Sequence, residues 1–164
     1  MPRKSVVAVV GTGEETEPAI SNAREIGRLV AQNAWVLVTG GRDAGVMKAA
    51  NEGAKEIEGS LTIGILPKRE TDVSPAVDVP IISDVGEARN NIIVLSADVV
   101  IACSVNDPGT ASEVSLALKA QKPVILFAAP ADAQEFFNKI GSENIYIASS
   151  PAEAVKMAER LISS

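Results

Sequence analysis

The sequence predicts an α/β domain, a doubly wound parallel sheet of six or seven strands with helices on both faces. Three observations carry this expectation. Short β-branched runs alternate with longer segments whose apolar residues recur at three and four positions, the rhythm of strands joined by crossover helices. Hydrophobic residues make up 46% of the chain and aromatics only 3%, so the core is built from Val, Ile, Leu and Ala, as in a sheet buried on both faces. At 164 residues the chain has the size of one domain, and 1–164 reads as a single unit without internal repeats.

In chain order, strands are predicted over 5–10, 35–39, 61–66, 97–102, 123–127 and 144–147. Helices are predicted over 16–32, 44–58, 87–96, 110–120, 132–140 and 151–162. Ser150 before Pro151 marks the last helix start, because Ser caps the free N–H groups and Pro fits the first helical position. Gly59 and Gly141 are expected to close the second and fifth helices. The stretch 67–83, rich in Pro, Asp and Ser, is the one long connection, and 79–82 within it is a candidate seventh strand.

A net charge of −6 and the lack of a basic patch with interleaved aromatics argue against nucleic acid as a partner. Met1 to Lys4 lead straight into the apolar run 5–10, which is too short for a signal segment or a membrane span. The expected setting is therefore cytoplasmic, with no membrane partner. One cysteine, Cys103, excludes an internal disulfide, fits a reducing compartment and reads as a small buried hydrophobe. With no histidine, a Ser/His/Asp triad and a His-based metal site are impossible, and no metal is expected.

Glycine-rich loops carry the functional signal. Gly11-Thr12-Gly13 follows the first strand, where backbone N–H groups and a helix N-terminus can face an anion. Thr16 stands where a dinucleotide fingerprint needs a third glycine, so a standard NAD site is not supported, and a plain tight turn explains the pair equally well. Gly40-Gly41-Arg42-Asp43-Ala44-Gly45-Val46-Met47 follows the second strand and opens a helix: Gly40 and Gly41 let the backbone approach a ligand, Gly45 packs closely, and Arg42 offers a phosphate contact. The third loop runs through Asn106, Asp107, Gly109 and Thr110 to Glu113. Gly109 and Thr110 offer an N–H and a hydroxyl, while a capping box from Thr110 to Glu113 would account for the glutamate without chemistry. All three loops leave the carboxyl ends of strands, the edge at which open α/β sheets bind ligands.

These motifs, with Gly64-Ile65-Leu66-Pro67, Glu87-Ala88-Arg89-Asn90 and Ala97-Asp98, resemble the LOG-type superfamily in order and spacing from about residue 5 to residue 127. The resemblance is closest to the branch of molybdenum cofactor carrier proteins. It implies a Rossmann-like fold and a homo-oligomer, dimer or tetramer. The label of lysine decarboxylase that some members carry finds no pyridoxal phosphate site here. Catalytic members cleave the N-glycosidic bond of nucleoside 5′-monophosphates with the loop Pro-Gly-Gly-x-Gly-Thr-x-x-Glu and an Arg on the preceding helix. Those roles fall on Glu113 and Arg89, which by resemblance hold the phosphoribosyl group and stabilise the oxocarbenium-like charge. Val105, Asn106 and Asp107 stand in place of Pro-Gly-Gly, however, and Arg42 replaces a glycine of the earlier loop. The expectation is a binding or carrier protein for a phosphorylated heterocycle, either molybdenum cofactor or a nucleotide, with no cofactor required otherwise. A nucleoside monophosphate phosphoribohydrolase is the alternative, and a ligand-sensing oligomer without turnover the third possibility.

Overall fold

Seven strands and six helices follow one another along the chain, alternating except where β4 succeeds β3 directly, in a computed structural model that describes residues 3–164. Met1 and Pro2, part of the 1–4 stretch considered above, lie outside the described residues. The order is β1 (Val6–Gly11), α1 (Ala19–Gln32), β2 (Val36–Thr39), α2 (Gly45–Lys55), β3 (Leu61–Leu66), β4 (Val79–Ile82), α3 (Arg89–Ser96), β5 (Val99–Cys103), α4 (Pro108–Lys119), β6 (Val124–Phe127), α5 (Ala131–Gly141), β7 (Ile145–Ala148) and α6 (Pro151–Ser163). Every strand pair is parallel, and the spatial order is β4-β3-β2-β1-β5-β6-β7.

Side-chain alternation along the central strands divides the core in two. Val7 and Val9 of β1 pack with Ile26 and Val30 of α1, Ala50 of α2 and Ala154 of α6. Ala8 and Val10 point to the opposite face, toward Ile93 and Val94 of α3, Val114 of α4 and Phe137 of α5. Helices therefore cover both faces, as the sequence predicts. The stretch 79–82 is a strand, the seventh, whose four residues all remain exposed at the sheet edge.

The other departures have local causes. α1 begins at Ala19 rather than at Thr16, because Pro18 sits at its N-cap and the residue before a proline is disfavoured in helical conformation. α2 stops at Lys55, and Gly59 lies in the turn beyond it with φ +75°. Gly141 does not end its helix as a left-handed cap; it is the last residue of α5, packed against Leu118 and Ile145, and a 3-10 turn, Ser142–Asn144, delays β7 to Ile145. Trp35 precedes β2 and packs half-buried on the α1/α2/α6 side. β1 and β5 each run one residue further than predicted, to Gly11 and Cys103. Cys103 is buried, and burial pushes its thiol up to about 12, which makes it an inert core residue.

The largest correction concerns α4. It begins at Pro108 with Asp107 as its N-cap, not at Thr110. The Thr110 N–H donates to Asp107 Oδ1 at 3.0 Å and the Thr110 hydroxyl to Oδ2 at 2.6 Å. Asp is a better cap than Thr, and Pro108 supplies the preset φ of the first helical residue. The capping box from Thr110 to Glu113 therefore does not form, and Glu113 loses that explanation. α6, by contrast, starts at Pro151 as expected, with Ser150 Oγ accepting from the Glu153 N–H at 3.1 Å.

Candidate functional site

Between β1 and β5 the strand order reverses, so the loops leaving their carboxyl ends diverge to opposite faces and open a crevice. Gly11 and Gly13 enter it from β1, Arg42 and Met47 from the start of α2, Glu87, Arg89 and Asn90 from the start of α3, and Asp107, Gly109, Thr110 and Glu113 from α4. The half-open space between them is about 90 Å³. That is the volume of about three water molecules, enough for one phosphate-sized anion.

Glycine is required at two positions around this space. Gly45 has φ +51° and lies directly on the backbone of Thr12 and Gly13, so any Cβ there would collide. At Gly40 a Cβ would meet Met47 Sδ at 2.6 Å and Arg89 Nη1 at 3.1 Å, so the missing side chain is what lets the guanidinium lie over the loop. Behind them Gly41 packs against Gly64, which ties the loop to β3. Met47 is buried, and so is Thr12, whose hydroxyl oxygen accepts from the Glu14 N–H at 3.1 Å.

Several backbone donors that the sequence offers to an anion are engaged inside the protein. The Gly41 N–H donates to Thr39 Oγ1 at 3.0 Å, the Asp43 N–H to Asp72 O at 3.1 Å, and the Val46 N–H to Thr12 O at 3.0 Å. Thr110 gives both its donors to Asp107, as described above. The helix after Gly11-Thr12-Gly13 starts too late to point its N-terminus at them; they serve as the seat of α2 instead. The long connection crosses the 41–43 segment like a strap, with Ser74 N–H on Gly41 O at 2.9 Å and Arg42 bridged to Val73.

The attraction for an anion therefore rests on the guanidinium groups. Arg89 is 4% exposed, its Nη1 donates to Asn90 Oδ1 at 2.7 Å, and its buried Nε has no partner. Asn90 is fixed in turn by donating to Ser112 Oγ at 3.1 Å, and that hydroxyl donates to Gly109 O at 2.7 Å. Burial lowers the pKa of Arg89, against the pull of Glu87 and Glu113, and the Arg42 charge acts in the same direction as burial. A buried donor left unpaired costs about 1–3 kcal/mol, more when charged, so Arg89 is held beside this crevice at a cost to the fold. Glu113 is 7% exposed and, among the described residues, forms no ion pair with Arg89. Burial raises its carboxyl to about 8, with Arg89 opposing and the charges of Asp107 and Glu87 adding to the rise.

Of the residues singled out from the sequence, Thr12, Gly40, Gly41 and Gly45 lie behind the crevice without lining it, and Asn106 lines a different groove, beside Pro130 and Phe136. Asn90, Ser112 and Glu87 lie within the quoted motifs but carry no assigned role in the sequence. Their contribution becomes visible only once α3 and α4 pack side by side. A larger depression of about 560 Å³ lies beside α1 and α2, but its cations are already paired, Arg24 with Glu52 and Glu56, Lys55 with Asp78, and Lys48 with Asp43. It offers no free charge to a ligand. Among the described residues, no cluster of acidic, Cys or His side chains is arranged to hold a metal ion.

A doubly wound sheet with an arginine-centred crevice at its switch point defines a Rossmann-like α/β domain. Within that class, the chain belongs to the SLOG cluster4 family, which matches residues 4–155. A molybdenum cofactor binding protein from the phototrophic bacterium Rippkaea orientalis superposes with a TM-score of 0.93 at 49% identity, covering 98% of each chain. The molybdenum cofactor carrier protein of Chlamydomonas reinhardtii superposes with a TM-score of 0.92 at 40% identity, covering 99% of this chain and 100% of that one. An uncharacterized protein of Archaeoglobus fulgidus is 39% identical over 124 residues, 76% of this chain and 80% of its own length.

Proposed function

We propose that this chain binds and carries a small phosphorylated heterocycle, with molybdenum cofactor as the first candidate and a nucleotide as the second. The carrying observation is Arg89, a buried guanidinium whose Nε has no partner and which borders a phosphate-sized space. The similarity to the Rippkaea and Chlamydomonas proteins supports the choice of cargo. Inorganic phosphate, and a nucleoside monophosphate more strongly, should raise the melting temperature. At a hundred times Kd the gain is about 2.7 kcal/mol, or roughly 5–10 °C for a chain of this size. A melting curve unmoved by either at saturating concentration overturns the proposal.

The juxtaposition of Arg89 and Glu113 also fits a phosphoribohydrolase, but the protonation of Glu113 speaks against turnover. Burial raises that carboxyl to about 8, so it is mostly protonated at neutral pH and offers little negative charge to a developing oxocarbenium ion. Incubation with nucleoside monophosphates is accordingly expected to release no free base by chromatography.

The carrier is further proposed to work as a homo-oligomer in the reducing cytoplasm, without nucleic acid or membrane partners. Among the described residues, no helix is long and apolar enough to cross a membrane. On the α3 face, Ile92 and Leu95 are exposed, and so are Val79 and Ile81 of β4, whose partners Ile63 and Ile65 belong to that face. Such a patch favours self-association. Leu95→Asp is expected to reduce the mass found by light scattering to that of a monomer, and a wild-type chain already monomeric at micromolar concentration removes this part of the reading.

A further inference from the structure

We propose that the groove on the other side of the 104–109 loop seats the planar ring of the same ligand, and that it selects an amino-substituted heterocycle. This rests on the carrier reading, with the phosphate against Arg89. The groove, about 560 Å³, runs between the first turn of α4 and α5. Val105 and Phe137, each 4% exposed, form its base, and Pro108, Pro130 and Phe136 its walls. Two of the three phenylalanines of the chain meet there, ring edge to ring face, with centroids 5.2 Å apart at 74°. Phe136 nevertheless leaves 55% of its surface uncovered, an exposed aromatic face of the kind on which flat heterocycles stack.

The polar rim narrows the ring chemistry. Asp107, Asp132 and Asn106 line the groove, and no Lys or Arg does. One oxygen of Asp132 accepts the Ala133 N–H at 2.8 Å, and the other is engaged by no group among the described residues. An acceptor-rich rim repels a second phosphate and suits an edge that presents N–H donors, such as the 2-amino-4-oxo edge shared by guanine and the pterins.

Continuity with the anion site carries the argument. Asp107 borders both spaces, and the ridge between them is the segment from Asp107 to Gly109. At Gly109 an added Cβ would touch only the Asp107 carboxylate, at 3.0 Å, and the backbone there needs no glycine. That contact is tighter than a Cβ normally makes and the carboxylate is held by Thr110, so the glycine spares the α4 cap and at the same time keeps the ridge between anion site and groove low.

The test is calorimetric titration of the intact protein with inorganic phosphate, ribose 5-phosphate and guanosine 5′-monophosphate. Guanosine monophosphate is expected to bind about tenfold more tightly than ribose 5-phosphate, the scale of one base stacked on an aromatic ring. Phe136→Ala should erase that advantage and leave the affinity for phosphate unchanged, and Asp132→Asn should reduce it. Equal affinities for the two esters, or an advantage that survives Phe136→Ala, overturn the ring assignment while the anion site stands. If phosphate itself does not bind, the carrier reading falls and this one with it. A change of oligomeric mass in Phe136→Ala, with the guanosine advantage retained, would assign the groove to a second copy of the chain instead.

Discussion

Replacing Arg89 by methionine is expected to weaken phosphate and nucleotide binding by about thirtyfold to a few thousandfold while leaving the fold as stable as before, or more so. Loss of a buried, hydrogen-bonded charge contact to a ligand costs about 2–5 kcal/mol, and each 1.4 kcal/mol is tenfold in Kd. Without ligand the balance reverses. The guanidinium is 4% exposed, has no carboxylate close enough for an ion pair among the described residues, and keeps Nε unpartnered. A buried charge replaced by an apolar side chain of similar length is often neutral or stabilising. Methionine is flexible enough to fill much of the space that the arginine stem leaves, so no large cavity opens. Denaturant titration and calorimetry on the same preparation separate the two effects. A variant that binds phosphate like the wild type moves the anion site away from α3, and one that unfolds shows that Arg89 serves the fold instead.

The contrast between those effects shows what a sequence displays and what it hides. The apolar runs of β1, β5 and β6 identify buried central strands because burial on both faces leaves no polar position in them. The exposed Val79–Ile82 is harder to read, since an edge strand has lost the burial that makes strands legible. The glycines at 40, 41 and 45 mark the crevice because each removes a side chain from a contact that the chain makes close by in sequence or space. The fate of the N–H groups in this loop is not legible. Thr39 Oγ1 takes that of Gly41, while Asp72 O and Thr12 O, each about thirty residues away along the chain, take those of Asp43 and Val46. Asp107 was readable as a cap, since Asp before Pro is a helix-start signal as strong as Ser150 before Pro151. The family loop, whose Thr falls on Thr110, points two residues further on than Pro108, where α4 begins. The isolation of Arg89 is a tertiary property: only the packing of α3 against α4 aligns Asn90 with Ser112 and leaves Nε buried without a partner.

Glu113→Gln is expected to change how stability depends on pH, and the sign follows from the direction of the shift. Burial raises the folded-state carboxyl from 4.5 to about 8. Between these values the folded chain holds a proton that the unfolded chain has released, so the contribution of Glu113 is full below about pH 4.5 and is lost as pH rises toward 8. Each pH unit in that window is worth about 1.4 kcal/mol, which gives a total on the order of 4–5 kcal/mol. Glutamine resembles the protonated acid in size and does not titrate. The variant should therefore match the wild type near pH 5, gain on it steadily, and reach a constant advantage above pH 8. Sulfate, whose charge is fixed across this range, reports the same group through binding. Its affinity for the wild type should fall as pH rises through about 8, where Glu113 ionises beside the anion, and should stay flat in Glu113→Gln. Parallel stability curves for the two proteins from pH 5 to pH 9 would mean that Glu113 titrates as an ordinary carboxylate, and the argument against turnover from its protonation would fall with it.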